Sequence, residues 1–404
     1  MQMAIDVADF TPTEADQLRR AMGSKRSTER MEALHARLLE GMAANGITAE
    51  IGEQIFDKLK AFADFGFPES HAYSFAYLVY ASAWLKVHHP AAFYAGLLAA
   101  QPMGFYSPQS LVADARRHGL TVLRPDVQAS GVRATVERTA SAPVGGEPRL
   151  VPTPSGTAPT DQHAGGSAGR SLAVRLGLAS VRNVGAEVAA RLVAERAQAG
   201  LFADLRDLAR RVRLSTSHLE ALATGGALDS LGATRREALW AAGALAQEGP
   251  GTLPGVSVGV IAPMLPGMSD VELAVADVWA TGISVDSYPT QHVRAGLDAA
   301  GVLRVEQVYR HDAGRRVAVA GVVTHRQRPG TAGGVTFLSL EDETGLLNVI
   351  CTTGLWQRFR KVARTSAALV VRGRIERADG ATNLLAEHLA PLSLRVRATS
   401  RDFR

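Results

Sequence analysis

The segment Lys58–Leu98, KLKAFADFGFPESHAYSFAYLVYASAWLKVHHPAAFYAGLL, sets the class of the fold. Tyr73, Tyr77, Tyr80, Trp84 and Val87 recur at spacings of four, three, four and three, which is one face of a helix. Phe75, Leu78 and Val79 add a neighbouring stripe. The helix is therefore apolar round much of its circumference and is expected inside a helical domain rather than on its surface. Ser70 supplies an oxygen for an orphan helix N–H, and Pro90 is expected to close this helix and open the next, Ala91 to Ala100. Core packing accounts for the aromatics. The insert Glu69-Ser70-His71 has a second reading, since a hydroxyl, an imidazole and free N–H groups at a helix N-terminus favour anions.

The chain has 404 residues, enough for two to four domains. Its 44 Lys plus Arg against 39 Asp plus Glu leave a net charge of +5, which permits a polyanion partner without demanding one. Cys351 is the only cysteine, so it forms neither an internal disulfide nor half of a Cys-pair zinc site, and a buried strand position is expected. No apolar run is long enough to cross a bilayer, and Met1 is not followed by a basic and then apolar leader; a cytoplasmic protein with no membrane partner is expected.

Ahead of the opening segment, Thr13–Met22 reads as a helix that ends in Leu18-Arg19-Arg20-Ala21-Met22-Gly23-Ser24-Lys25-Arg26. Arg19, Arg20, Lys25 and Arg26 gather round Gly23. They read either as a solvated basic helix end or as a clamp for a triphosphate or a nucleic-acid backbone. Helices are also expected over Met31–Met42, Thr48–Phe62 and Gln109–His118, making the first domain all helical.

The stretches LRRAMGSKR, FADFGFPESHAYSFAYLVYASAWLKVHHPAAFYAGLL and QPMGFYSPQSLVADARRHGLTVLRPDV resemble the fingers domain of bacterial C-family DNA polymerases, the α-subunit type. QPMGFYSP and the closing SRDFR resemble the error-prone branch of that family. The resemblance covers essentially the whole chain but only the C-terminal part of such a polymerase. It implies that Arg19, Arg20, Lys25, Arg26, Ser70 and His71 contact the incoming nucleotide or the template.

Residues 131–172 are rich in Gly, Ala, Pro, Ser and Thr and read as a linker or insert, with His163 solvated. Val174–Gly185, with a turn at Gly185 and a helix to Ala199, reads as a helix-hairpin-helix, and Leu214–Leu231 as a weaker second half. Such a hairpin offers backbone N–H groups to phosphate without reading bases, so Arg182, Asn183 and Gly185 become DNA-binding candidates. Beyond Gly314, five strands are expected at Val317–Val323, Gly334–Leu340, Leu346–Cys351, Ala368–Glu376 and Asn383–His388. Glu341-Asp342-Glu343-Thr344-Gly345 is the hairpin turn, and a helix over Leu355–Val362 falls between the third and fourth strands. That order is an OB-fold. Arg316, Arg326, Arg328 and Arg372, with His325, Arg358 and Arg374, supply charge for a single strand, and Phe337 is the stacking candidate. Solvated strand edges are the competing reading.

The resulting fold class is α+β multidomain: an all-α fingers domain (1–130), the linker (131–172), a helix-hairpin-helix element (173–232), a connecting segment (233–312), a C-terminal β-barrel of OB-fold type (313–392) and a basic tail (393–404). The resemblance implies an error-prone DNA-directed DNA polymerase acting in replication and translesion repair synthesis. Its palm carboxylates, which would hold Mg2+, are not expected in this chain, so no catalytic or metal-binding residue is assigned. The implied partners are primer-template and single-stranded DNA, deoxynucleoside triphosphates, accessory translesion polymerase-like proteins and the sliding clamp. Two alternatives are a non-catalytic DNA-binding or partner-binding module, and a tRNA-ligase anticodon domain resting on LEDETG alone.

Overall fold

The computed structural model describes residues 2–22, 27–64, 69–104, 106–140, 170–249, 251–253, 258–329, 332–378, 380–394 and 401–403. The chain divides into two compact units, residues 1–84 with 327–336 and 404, and residues 85–326 with 337–403. No helix among the described residues is long and apolar enough to cross a membrane.

The first unit is built from α1 (Gln2–Ala8), α2 (Pro12–Met22), α3 (Ser27–Ala44) and α4 (Ala49–Asp64). Phe10, Leu18, Met31, Leu38, Met42 and Phe56 form its core. Thr11 starts α2 reciprocally: its hydroxyl accepts the Glu14 amide at 3.3 Å, and the Glu14 carboxylate takes the Thr11 amide at 2.7 Å. The Thr11 amide thereby holds the Glu14 carboxyl below its usual range. Arg37 of α3 closes the carbonyl end of α1, donating to Ala8 O and Asp9 O at 3.2 Å. α1 itself was invisible to periodicity, because only Ala4 and Ala8 are buried on it.

α5 (Glu69–His88) spans the expected helix, but it is not buried. Tyr73, Tyr77 and Tyr80 are 80, 70 and 74 % exposed, and Phe75, Leu78, Val79 and Trp84 are exposed as well. The periodicity fixed the helix through local spacing. Burial needs a covering surface, and the described residues supply none there.

In the second unit α6 (Pro90–Ala99) and α7 (Pro108–Arg117) pack on a small sheet of β1 (Val122–Leu123), β2 (Thr135–Ala140) and β3 (Arg170–Arg175). β3 lies between the other two, parallel to β1 and antiparallel to β2. The stretch expected as a linker thus contributes β2 and the first half of β3; residues 141–169, His163 among them, lie outside the described residues. Tyr94, Val112, Val174 and Leu176 form the core here with Ile283 and Val285 of the connecting segment.

A turn of 3-10 helix at Leu178–Ser180 leads to α8 (Gly185–Ala199), α9 (Leu205–Val212), α10 (Thr216–Thr224), α11 (Arg235–Leu245) and α12 (Asp270–Thr281). Leu178, Val181, Leu192, Leu208, Leu219 and Leu222 share one core, so both hairpin halves belong to one body. Asp277 of α12 is buried against it, 2.7 Å from Arg235 and 3.0 Å from Arg124.

After α13 (Arg294–Ala299) and α14 (Val305–Val308) come β4 (Arg316–Gln327), β5 (Thr336–Glu341), β6 (Leu346–Cys351), α15 (Thr353–Arg358), α16 (Arg360–Thr365), β7 (Ala368–Ala378), β8 (Ala381–Pro391) and β9 (Arg401–Phe403). The order β5-β6-β8-β7-β4, closed by β5 against β4, is a five-stranded barrel, with β9 added to β4. The helix expected between the third and fourth strands is two short helices that meet at Phe359. At the β7–β8 register shift a Cβ on Gly373 would lie 2.2 Å from the Leu385 carbonyl oxygen, so only glycine admits the bulge.

The turn after β5 is a buried latch rather than a surface hairpin tip. Glu341 accepts from Ser110 Oγ and Arg117 Nη1, each at 3.0 Å. Asp342 accepts from the amides of Val305, Thr344 and Gly345, and Arg294 binds both Asp342 and Glu343. These carboxylates fasten the barrel to α7, α13 and α14.

Cys351 is fully buried at the end of β6, and burial pushes its thiol up to about 12. Thiolate is the reactive form. A thiol reagent at mildly alkaline pH is expected to leave the native chain unlabelled and to modify Cys351 at once in denaturant; rapid native labelling would contradict this packing.

Candidate nucleic-acid interface

Three places carry the candidate contacts. At the end of α2, Arg19 and Arg20 are largely exposed and share one carboxylate, Asp16, at 2.8 and 3.0 Å. Arg19 holds the Asp16 carboxyl below its usual range. One negative charge between two guanidinium groups leaves the corner cationic. His71 on the first turn of α5 is exposed, its ring edge-on to Phe75 at 4.6 Å. Among the described residues neither arginine is bonded to His71. Lys25 and Arg26 lie outside the described residues, as does the Ser70 side chain.

At the hairpin, Asn183 and Gly185 take the left-handed backbone at φ 64° and 62°, which turns the chain sharply into α8. Both are exposed, as are Ala186 and Glu187, and the N-terminus of α8 has no side-chain cap; an uncapped, exposed helix start is the kind of site whose N–H groups take a phosphate. Arg182 is exposed and also makes structural contacts. Its Nε donates to Trp279 O at 2.9 Å, its guanidinium covers the Trp279 ring at 4.9 Å, and its amide donates to Ala280 O. It ties the hairpin to the end of α12.

On the barrel the sequence candidates separate. Arg326 is buried, and donates to Ala363 O at 2.8 Å and Ser366 O at 2.5 Å. It caps the carbonyl end of α16. It is buried rather than exposed because this end of β4 is covered by α16, so the usual strand alternation no longer puts every second side chain in solvent. Arg328 is exposed in the first unit. Phe337 is half-buried on β5, between the buried Thr336 and Leu338.

Arg316 and Arg372 do converge. Arg316 lies directly opposite Arg374, and Ala318 opposite Arg372, across the β4–β7 pair. These positions border a groove of about 340 Å3 lined by Gly301, Leu303, Arg315, Arg316, Arg372 and Glu387. Like charges facing each other across strands cost stability, and the cost is offset here by Glu387, whose carboxylate oxygens lie 3.2 and 3.1 Å from Arg316 Nε. Spacing missed Glu387, because the bulge that aims it arises from Gly373 on a different strand. It also missed Arg360, Lys361 and Arg364, exposed beside Arg358 on α15 and α16; the run Arg358-Phe359-Arg360-Lys361 carried that signal.

Comparison with known proteins agrees with this layout. Residues 1–46 match the bacterial DNA polymerase III alpha subunit finger domain, residues 119–238 a helix-hairpin-helix motif, and residues 317–392 an OB-fold nucleic acid binding domain. Error-prone DNA polymerases from Mycobacterium bovis, Nocardia farcinica and Cutibacterium acnes are 56, 55 and 50 % identical. Each alignment covers 100 % of this chain and 34, 33 and 37 % of the respective relative. A solved asparaginyl-tRNA synthetase from Pyrococcus horikoshii is 23 % identical over 24 % of each chain with a TM-score of 0.20, which carries no argument about function. With the three modules in this order and every residue of the chain aligned, the chain is similar along its whole length to a portion of error-prone DNA polymerases, with a bacterial DNA polymerase III alpha-subunit finger match at its start, and spans about a third of those relatives' length.

Proposed function

We propose that this chain is the DNA-holding portion of an error-prone DNA-directed DNA polymerase that serves replication and damage-induced translesion repair synthesis in the cytoplasm. The observation that carries the reading is the succession of an exposed hairpin turn with an uncapped helix start and a barrel with a basic groove, both within a chain that aligns end to end with a portion of such polymerases. Hairpin N–H groups position a phosphate backbone without reading sequence, and a basic barrel groove does the same for a single strand. Arg19, Arg20 and His71, joined by Lys25, Arg26 and Ser70, are proposed to meet the incoming triphosphate or the template in the complete enzyme.

Phosphoryl transfer requires carboxylates that hold two Mg2+ ions. Among the described residues no group of three or more His, Cys, Asp or Glu could hold a metal ion. The chain alone is expected to bind primer-template DNA and, given Mg2+ and nucleotides, not to extend the primer. Fluorescence anisotropy and a primer-extension gel check the two halves. Extension by the purified chain would overturn the division of labour, and failure to bind would overturn the reading itself.

A second reading is favoured by one observation, the exposed aromatic face of α5. An apolar helix uncovered on this scale suits a protein partner. Under that reading the chain is a non-catalytic module that joins a translesion assembly, with accessory polymerase-like proteins or the sliding clamp as partners.

A further inference from the structure

OB-folds take oligonucleotides on the face of their second and third strands and on the loops beside it. In this barrel those strands are β5 and β6, and their outward side chains are Phe337, Ser339, Asn348 and Ile350, none of them charged. Apart from Arg328, exposed on the β4–β5 connection, the barrel's cations lie elsewhere. Arg372 and Arg374 alternate on β7 with the buried Val371, Gly373 and Ile375, so they share the outer face. Arg316 stands opposite Arg374, and His388 of β8 opposite Arg372. His388 is exposed, and its ring meets Phe359 at 4.9 Å, edge to face. Phe359 in turn lies under the guanidinium of Arg358 at 5.4 Å, and Arg360, Lys361 and Arg364 follow on α16.

This is one continuous line from groove to helix corner: Arg316, Arg372, His388, Phe359, Arg358. It interleaves cations with rings, as a single-strand track does. Arg372 has no ion pair among the described residues, and α15 and α16 carry no acidic residue at all. The site also displays the chemistry of its ligand. Glu387, aimed by the bulge at Gly373, places a carboxylate on Arg316 in the groove, where an oxyanion of a passing phosphate would sit.

We propose that the β4–β7–β8 face and the α15–α16 corner form a nucleic-acid track for single-stranded DNA, separate from the β5–β6 face. Glu387 acts in it as a resident competitor for Arg316. Phosphates enter by displacing Glu387 from Arg316 and continue over Arg372 towards Arg358, with His388 and Phe359 offering ring faces to a base. The proposal rests on the DNA-holding reading above.

The experiment uses the full chain and a fluorescein-labelled oligothymidylate, with affinity measured across a salt series. Arg372, Arg358 and Glu387 are exposed, so their variants retain the barrel; Phe337 is half-buried, and circular dichroism of Phe337→Ala checks that its barrel is folded. Arg372→Ala with Arg358→Ala is expected to weaken binding about tenfold and to flatten the salt dependence by about 1.4 in log–log slope, two phosphate contacts' worth for a single strand. Glu387→Gln is expected to tighten binding about threefold, because an exposed ion pair holds Arg316 by no more than about 1 kcal/mol. Phe337→Ala is expected to bind like the parent. If the double variant and Glu387→Gln both match a parent that binds, the track is wrong while the DNA-holding reading stands. A parent that does not bind overturns both. Displacement of the oligonucleotide by a poly-glutamate of equal charge, as effective as by unlabelled oligothymidylate, would reassign the face to an acidic protein segment and overturn the nucleic-acid proposal.

Discussion

Asp342→Ala is expected to lower the unfolding free energy of the second unit by about 3–5 kcal/mol, the usual range for removing one member of a buried, hydrogen-bonded ion pair. Asp342 is fully buried and serves two turns at once. It accepts the Val305 amide at the start of α14 at 2.9 Å, and the Thr344 and Gly345 amides of its own turn at 2.8 and 3.0 Å. Arg294, itself buried, lies 3.3 Å away. Alanine removes the acceptor and leaves three amides and part of a guanidinium without one, and an unsatisfied buried donor costs more than the lost bond alone. Glu343 still binds Arg294 at 2.6 Å, so Arg294 keeps one partner and the loss stays within that range. Asp342→Asn keeps an acceptor oxygen and is expected to cost less than half as much. Urea unfolding followed by far-UV circular dichroism measures both; a midpoint for Asp342→Ala equal to that of the parent would show that the turn does not latch the barrel.

Asp277→Ala is expected to be comparably damaging at the other end of the same unit. Asp277 is buried and is the common partner of Arg235 at 2.7 Å and Arg124 at 3.0 Å. Arg124 retains Asp286 as a second partner. Arg235 is only 5 % exposed, and what remains to it is the Thr224 carbonyl at 3.0 Å, a long contact to Leu273 O and the electrostatic influence of Asp229. A buried guanidinium without its ion-pair partner is the costly product, again up to about 3–5 kcal/mol. Replacing Arg235 by Met in the same chain removes that charge and is expected to restore a large part of the loss. The rescue separates an unpaired-charge penalty from a simple packing defect, since a packing defect would add to the Met substitution rather than be relieved by it.

Much of this architecture can be read from spacing. The periods of α2 to α7, the glycine turn at Gly185 and the strand order of the barrel follow from side-chain pattern and turn chemistry, which are local properties. The misses share one cause. Tyr73 to Trp84 announce a helix but not whether anything covers it. Arg326 reads as a surface cation until α16 is seen to enclose that end of β4, and the spacing around Arg182 does not show its contact with Trp279, distant in sequence. Glu341-Asp342-Glu343 reads as a hairpin turn, but its burial is not legible, because the cations that make burial of three adjacent acids tolerable, Arg117, Arg294 and Arg304, come from other parts of the chain. The groove at Arg316 and Arg372 is intermediate: both residues were legible, and the bulge that adds Glu387 was not.

The most direct test of the account is the salt dependence of DNA binding by the full chain. Equilibrium anisotropy with single-stranded and primer-template DNA gives log affinity against log salt concentration. The account predicts a straight line that falls steeply for both, with a slope of about −3 for the single strand if about four phosphates are neutralised. It also predicts little dependence on base sequence, since hairpin amides and arginines on a barrel face grip the backbone. Affinity that is flat in salt, or no measurable binding at the lowest salt, would contradict the claim that this chain holds DNA.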